Sequence, residues 1–314
     1  MMFRKIVNKI GLFLNRNNRY SNLKFEIKSI HNSLQELKLL EGKQLGIQNI
    51  SRTNEILNEL NKAEFKVFSQ WGDDGIMQFL IDYLNIENKI FIEFGVEDYL
   101  ESNTRFILIN NCWKGLVMDG SALKVNQIKC SDLFWQYQLD AICCFITRDN
   151  INELISEYLN KQTPGILVID VDGNDYWIWE AIEVKPTLVV VEYNSLLGFE
   201  RAISIPYHSN FVRNQAHYSN LYYGASLPAL CQLANKKGYT LVGCNSNGNN
   251  AYFVRNDKLK DLKAATAKQA FNESSFRESR NEQNKLTYLN YNEAFKIIKG
   301  LKVINVETLK EEII

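Results

Sequence analysis

Short apolar runs of four or five residues recur through the middle of the chain. They are Ile90–Phe94, Gly115–Met118, Ile142–Ile146, Ile166–Ile169 and Leu188–Val191. Each is too short for a buried helix and gives way to polar residues, which predicts strands covered on both faces. Segments with helical spacing lie between them: Phe106–Ile109, Val125–Ile128, Glu153–Leu159 and Trp177–Ile182. Strand and helix alternate, so the pattern predicts an α/β fold with a parallel sheet. The polar clusters fall at the C-terminal ends of the strands, the edge where such sheets bind ligands.

The flanks differ. Residues 1–62 read as a helical extension. Its first part, Met2–Asn15, sets Phe3, Ile6, Val7, Ile10 and Phe13 among Arg4, Lys5 and Lys9, the pattern of a basic amphipathic helix. Such a helix suits peripheral membrane contact, a partner, or self-association. Ile27, Ile30, Leu34, Leu37, Leu39 and Leu40 continue an apolar stripe, and Ile47, Ile50, Ile56, Leu57 and Leu60 suggest a further helix. We expect a homo-oligomer formed through these helices. Ile76, Phe79, Leu80, Tyr83 and Leu84 predict a helix leading into the first strand, with Ser69, Gln70, Asp73 and Asp74 at its start. Residues 196–225 read as a long loop. Leu227–Lys236 reads as a helix, and Tyr239–Cys244 with Ala251–Arg255 as an antiparallel hairpin. Residues 257–314 are polar and mixed, a cap or subunit contact with an apolar patch at Phe295, Ile297 and Ile298. The expected division is 1–62, 63–256 and 257–314.

Composition narrows the partners. With 36 basic and 36 acidic residues, the chain has no net charge to drive nucleic-acid binding. Six cysteines form no C-x-x-C pair, and Cys112, Cys143 and Cys144 sit in or beside apolar runs, so we read them as reduced, small hydrophobes of a cytoplasmic protein. No run is long enough to span a bilayer. The expected location is the cytoplasm, including the inner face of the membrane.

The stretch from Lys89 to Ser121 carries the most chemistry. Its first strand ends at Glu93-Phe94-Gly95 and its second at Asp119, 24 residues after Gly95 (119 − 95). An acid at that strand tip suits the two hydroxyls of a ribose. The turn between has one glycine where a pyrophosphate site wants G-x-G-x-x-G. It carries Glu93, Glu97, Asp98 and Glu101 instead. Four carboxylates repel a diphosphate and tolerate a ligand with an amino and a sulfonium group. S-adenosylmethionine has a ribose and both cations and no phosphate, and it is favoured over NAD. The plainer alternative is an acidic loop on a buried sheet with no ligand.

A second acidic cluster, Asp170, Asp172, Asp175, Glu192 and Asn194, is drawn from the next two strand ends. Asp170, Glu192 and Asn194 are candidate ligands for Mg²⁺ or Mn²⁺, which would lower the pKa of a bound hydroxyl. Against this stands the simpler reading that Asp170 binds the donor's amine and the rest are solvated or cap a helix. Asp170, His208 and His217 are the candidate catalytic groups, the histidines as bases for the hydroxyl proton. Tyr193, Tyr207, Tyr222 and Tyr223 are candidate walls of an acceptor pocket, whereas Tyr176, Trp177 and Trp179 read as core. Two rival motifs share the region. Ile166–Asn174 resembles the D-x-D-G loop of haloacid-dehalogenase phosphatases, and Asp170-Val171-Asp172 matches the D-x-D of metal-dependent glycosyltransferases.

The pieces SQWGDDG (69–75), FIEFGVEDYLESNTRF (91–106), GLVMDGS (115–121), ILVIDVDGNDYWIW (166–179), VVVEYNS (189–195) and YYGASLPAL (222–230) occur in an order that resembles the FkbM-type class I methyltransferases of bacterial surface-glycan and natural-product clusters. The resemblance spans about residues 66–256. It implies a Rossmann-like sheet of seven strands, S-adenosylmethionine as donor, and O-methylation, commonly of a sugar hydroxyl. It carries Glu93 and Gly95 over as the donor turn, Asp119 as the ribose ligand, and Asp170 at the fourth strand; Ser121, beside Asp119, is a further candidate for binding the donor. The chain departs from the family where G-x-G has become Gly95-Val96-Glu97. The expected activity is O-methylation of a glycan or nucleotide-sugar hydroxyl, metal-assisted. The alternatives are glycosyl transfer and a non-catalytic methyltransferase-like scaffold.

Overall fold

The computed structural model describes residues 2–314, with side chains from residue 22 onward. The chain divides into two units, residues 1–44 and 45–314. A single helix, Met2–Ser51, forms the whole described part of the first unit and runs into the second. It replaces the several shorter helices expected there, since no Pro falls before residue 52 to end it. The basic amphipathic face assigned to Met2–Asn15 lies outside the described side chains.

The second unit is built on a seven-stranded sheet: β1 (Ile90–Phe94), β2 (Lys114–Asp119), β3 (Leu139–Cys143), β4 (Ile166–Ile169), β5 (Leu188–Glu192), β7 (Tyr239–Cys244) and β8 (Asn250–Arg255). The sheet order is β3-β2-β1-β4-β5-β8-β7. Strands β1 to β5 are parallel, and β8 runs antiparallel to both neighbours. This is a Rossmann-like, mostly parallel sheet with an antiparallel C-terminal hairpin. Side chains alternate between the two faces as a pleated strand requires. Ile92, Leu116, Leu167 and Val189 join one core layer, whereas Phe91, Val117, Val168 and Val190 join the other. Tyr176, Trp177 and Trp179 belong to the first layer, as core residues.

The order reverses direction between β1 and β4, which places a switch point, and a crevice, at their C-terminal ends. Strand β3 sits three residues upstream of the run Ile142–Ile146. Its pairing with β2 aligns Leu139 with Gly115 and Cys143 with Asp119, so the ladder stops at the same level as its neighbour. All six cysteines are free thiols. Only Cys244 is fully buried, while Cys112, Cys130 and Cys143 are exposed and so do not act as core hydrophobes. No described helix is long and apolar enough to cross a membrane.

The region read as a long loop and a polar tail contains more structure than its composition suggested. The short strand β6 (Ile203–Ser204) pairs with β9 (Lys302–Asn305), and β9 with β10 (Lys310–Ile313), in a second sheet. The helix Tyr291–Ile298 covers it, using Ala294 and Ile298 in a small core with Leu196, Ile203, Leu221 and Val303.

Candidate active site at the strand ends

Strand β1 delivers Glu93 into the crevice floor. Its carboxylate accepts from the Ser102 hydroxyl at 2.5 Å, the Thr104 hydroxyl at 2.5 Å, and the backbone amides of Asn103 at 2.9 Å and Thr104 at 3.0 Å. These bonds tie the strand end to the segment entering the helix Arg105–Asn111. Burial still pushes the Glu93 carboxyl above its ordinary range. Gly95 follows with φ +71°, and a Cβ there would lie 1.7 Å from the carbonyl oxygen of Asp170. Only glycine allows the ends of β1 and β4 to approach so closely.

Asp119 closes β2. Its carboxylate accepts from the Glu97 amide at 2.8 Å and the Ser121 amide at 2.7 Å, joining the loops after β1 and β2. Ionised oxygens retain acceptor sites beyond these two bonds. Asp119 lines a cavity of about 150 Å³ whose other walls include Met118, Phe145, Ile146 and Phe211. Ser121 instead caps the helix Ala122–Lys129, its hydroxyl accepting from the Lys124 amide. Lys124 supplies a counter-charge that the sequence reading missed. Its ammonium lies 3.1 Å from Glu97 and 3.0 Å from Asp98, on the loop counted as purely acidic.

A larger cavity of about 650 Å³ adjoins the first, sharing Gly95, Glu97, Asp170 and Asp172 with it. Asp170, Asp172 and Glu192 each offer a carboxylate oxygen, all within 4.8 Å of one another. Glu192 is buried, and its Oε2 has no hydrogen-bond partner. Burial pushes both Asp170 and Glu192 well above the ordinary carboxylate range; repulsion from Asp172 adds to it at Asp170, and repulsion from Asp170 adds to it at Glu192. Asp172 holds the left-handed conformation, φ +54°. Asp175 is turned inward, accepting from the amides of Val171 at 2.8 Å and Gly173 at 3.0 Å.

Arg213, from the region read as loop, is the basic group in this cluster. Its Nη1 lies 2.7 Å from Asp172, its Nε donates to the Asn220 carbonyl at 2.7 Å, and its guanidinium sits 3.7 Å from the Tyr223 ring centre. Of the four tyrosines proposed for the acceptor wall, Tyr223 alone lines the larger cavity. Tyr193 is buried in the core layer, Tyr207 stacks with Arg148, and Tyr222 donates to the Lys302 carbonyl.

Three candidates need correction. Asn194 does not reach the carboxylates: its Nδ2 donates to the carbonyls of Leu221 and Tyr223, both at 3.0 Å, and its Oδ1 accepts from the Leu196 amide at 3.0 Å. Its polar atoms are consumed in shaping the following turn, and Asp172 stands in the cluster instead. His208 is exposed, with Nδ1 accepting from the Asn210 amide. His217 pairs with the Ser219 hydroxyl at 2.7 Å, and burial pushes its pKa down. Neither histidine lines the two cavities, so no base position is supported for them.

The larger cavity has further polar walls. The β7–β8 turn contributes Asn247, Asn249 and Asn250. Asn245 organises that turn, its Oδ1 accepting from the amides of Gly248, Asn249 and Asn250. Asp73 underpins it, accepting from Asn245, Asn250 and the Tyr252 hydroxyl. Asp73 therefore lies beneath the site, while Trp71 from the same SQWGDDG motif lines it. Across the opening, Phe276 meets Trp71 edge-on, with ring centres 6.4 Å apart. Its segment is held by bonds from the Ser274 amide to the Ser195 hydroxyl and from the Ser275 amide to the Asn247 carbonyl.

No family model and no curated protein matches the chain. Methyltransferases are among the solved structures it resembles. A candidate caffeoyl-CoA O-methyltransferase from Staphylococcus aureus matches at 16% identity over 69% of this chain and 99% of its own, with a TM-score of 0.41. A methyltransferase from Clostridium acetobutylicum matches at 11% identity, over 66% and 98% of the two chains, with a TM-score of 0.38. A Geobacter sulfurreducens methyltransferase, solved with S-adenosylhomocysteine, matches at 14% identity, over 52% and 62%, with a TM-score of 0.29. Identities this low speak to the path of the chain and no further.

Proposed function

We propose that this chain is an S-adenosylmethionine-dependent O-methyltransferase of the FkbM type, acting on a sugar hydroxyl of a surface glycan or nucleotide-sugar. One observation carries the reading. A small cavity of mixed lining, which holds Asp119 beside Met118, Phe145, Ile146 and Phe211, shares Gly95, Glu97, Asp170 and Asp172 with a large polar one lined by carboxylates. The first suits a purine and ribose, the second a cationic methionine arm and a hydroxylated acceptor. Asp119 would hold the ribose, and the walls Met118, Phe145 and Phe211 the base. The donor supplies an electrophilic methyl that an acceptor oxygen attacks in line with the departing sulfur. The chain's own task is to align that oxygen and favour its ionised form. Asn103, Asn247, Asn249 and Asn250 offer donors and acceptors for neighbouring hydroxyls, and Trp71 with Phe276 an apolar surface for a ring face.

Calorimetric titration with S-adenosylhomocysteine tests this. Micromolar binding is expected, lost in Asp119→Ala. No binding by the intact protein would overturn the reading, and binding of a nucleotide-sugar in its place would favour glycosyl transfer through Asp170 and Asp172.

We also propose self-association through the N-terminal helix. Leu23, Ile27, Ile30, Leu34 and Leu37 follow the alternating four- and three-residue spacing of a coiled-coil seam, and each is more than half exposed. In a parallel pair of copies, Glu26 would flank the seam opposite His31 of the second helix.

A further inference from the structure

We propose that the acceptor is an uncharged glycoside, with the sugar ring in the larger cavity and a second ring of low polarity, joined through the glycosidic bond, in a third cavity beside Phe276. This selects a glycan or other glycoside over a nucleotide-sugar. The assignment deepens the methyltransferase reading and rests on it for the reaction, but not for the binding.

Charge decides against a nucleotide-sugar. Eight carboxylates and one cation, Arg213, line the larger cavity among the described residues. Burial raises the pKa of Glu93, Asp170 and Glu192. With all three neutral, 8 − 3 = 5 carboxylates still face one guanidinium. Arg213 is already spent on Asp172 and the Asn220 carbonyl. The cations beside the other carboxylates are matched as well: Lys124 by Glu97 and Asp98, Lys66 by Glu101, and Arg280 by Glu278. A diphosphate entering here would meet like charge and compete with carboxylates for every one of these cations.

The uncharged groups in the wall suit hydroxyls. Trp71 Nε1 and Asn247 Oδ1 are buried without a hydrogen-bond partner among the described residues, and both residues line the larger cavity. The first only donates and the second only accepts. Both residues flank the segment carrying Phe276: Trp71 meets its ring edge-on, and the Asn247 carbonyl accepts from the Ser275 amide at 3.1 Å. A hydroxyl both accepts and donates, so sugar hydroxyls can satisfy both atoms. A carboxylate or an ionised phosphate only accepts, and would leave Asn247 Oδ1 orphaned at a cost.

The third cavity, of about 310 Å³, shares Arg213, Tyr223, Ser274, Phe276 and Glu278 with the larger one. It lies between the Phe276 segment and the small core of the second sheet, with Leu196, Leu221, Leu289, Tyr291 and Ala294 in its walls. Those walls are more apolar than polar. Its volume matches the lower end of ligand pockets. Arg277, a further cation in it, is held by the Tyr288 carbonyl at 2.6 Å and sits over the Tyr288 ring. An apolar space adjoining one matched to hydroxyls fits a sugar with a less polar ring attached. A diphosphate in that position would lose its hydration against apolar walls.

The test compares each sugar ring in three forms: p-nitrophenyl glycoside, methyl glycoside and nucleotide-sugar. The rings are glucose, galactose, mannose, rhamnose and fucose. Binding to the full chain is measured by calorimetry in Mg²⁺, the condition most favourable to a nucleotide-sugar, with and without S-adenosylhomocysteine. At least one p-nitrophenyl glycoside should bind about tenfold more tightly than the methyl glycoside and the nucleotide-sugar of the same ring. Ala294→Leu, which fills the third cavity, should bring the aryl and methyl forms to about equal affinity. Leu289→Phe narrows the same cavity and serves where Ala294→Leu melts early. A nucleotide-sugar that binds more tightly than its p-nitrophenyl counterpart overturns the proposal. So do equal affinities of the aryl and methyl forms in the wild type, an aryl preference retained in both variants, or failure of every glycoside to bind. An aryl preference in a protein that binds no S-adenosylhomocysteine keeps the two-cavity site and removes the methyltransferase reading.

Discussion

Gly95→Ala isolates how far the site depends on a single close approach. The glycine has φ +71°, where a Cβ costs about 1–2 kcal/mol. That Cβ would also stand 1.7 Å from the Asp170 carbonyl oxygen, and real contacts hold Cβ atoms at 3.0 Å or more. The two strand ends must therefore part by 3.0 − 1.7 = 1.3 Å. The obstructing atom is backbone, and β1 is locked to β4 by the pairs Phe91 with Ile166, Ile92 with Leu167 and Glu93 with Val168. No flexible side chain can absorb the shift. Forced backbone movement in a packed interior costs about 1–3 kcal/mol more. The total, about 2–5 kcal/mol, corresponds to a fall in melting temperature on the order of 10 °C for a chain of this size. On the proposed function, displacing Asp170 by about 1 Å should lower methyl-transfer turnover by about 100-fold. Differential scanning fluorimetry measures the fall in melting temperature, and calorimetry with S-adenosylhomocysteine the loss of affinity expected as the turn at Gly95 moves. Gly198→Ala is the control, with φ +73° and no heavy atom within 4 Å of the new Cβ. It should lose only the strain and bind the ligand normally. Equal melting temperatures and equal ligand affinities in the two variants would refute the close-approach argument.

Other consequences follow from the same geometry. The Asp74 carboxylate accepts three backbone amides, from Val67, Phe68 and Ser69, yet burial raises its pKa from 3.8 to about 6. The folded chain thus keeps a proton between about pH 4 and pH 6 that the unfolded chain has lost. This group's contribution to stability should fall as pH rises through that window and stay level above it. Asp74→Asn should flatten the slope in urea unfolding, and an unchanged slope would assign it elsewhere. Asp74→Ala should cost on the order of 3 kcal/mol below about pH 4, from three amides left without an acceptor, and less as the pH rises through that window. For the N-terminal helix, sedimentation velocity should give a dimer that Leu34→Glu converts to a monomer with unchanged ligand affinity. A monomeric wild type that pellets with anionic vesicles would point to a membrane surface instead.

The sheet was legible because its strands are buried on both faces. Runs such as Ile166–Ile169 have no other sensible reading, and their polar ends lie where the crevice forms. The third strand was placed three residues too late because Leu139-Asp140-Ala141 alternates, as an edge strand does, while Cys144, Phe145 and Ile146, at the apolar end of the run, lie beyond the strand. The strand-end acids were visible as residue types at fixed positions. Which of them face the cavity was not. Asn194 and Asp172 exchange roles because a side chain's direction depends on the turn that follows, and Asn194 is consumed by the carbonyls of Leu221 and Tyr223. Arg213, Phe276 and Lys124 reach the cleft or its rim across long separations, and no local spacing marks them. The histidines attracted attention for their chemistry alone, and the chain uses them to hold loops.

The segment carrying Ser274, Phe276 and Glu278 forms one wall of the larger cavity, while the opposite side comes from residues 93–103. These two sides are encoded almost at opposite ends of the folded unit. The segment is fastened to the folded unit by bonds to Ser195 and Asn247, and Asn272 at its start adds bonds to Tyr193 and Asn245. Such a layout lets the two halves of the cleft evolve separately. Substitutions at Phe276 or Glu278 can reshape the cavity wall without altering residues 93–103, so on the proposed function related chains could diversify in acceptor while keeping one donor site.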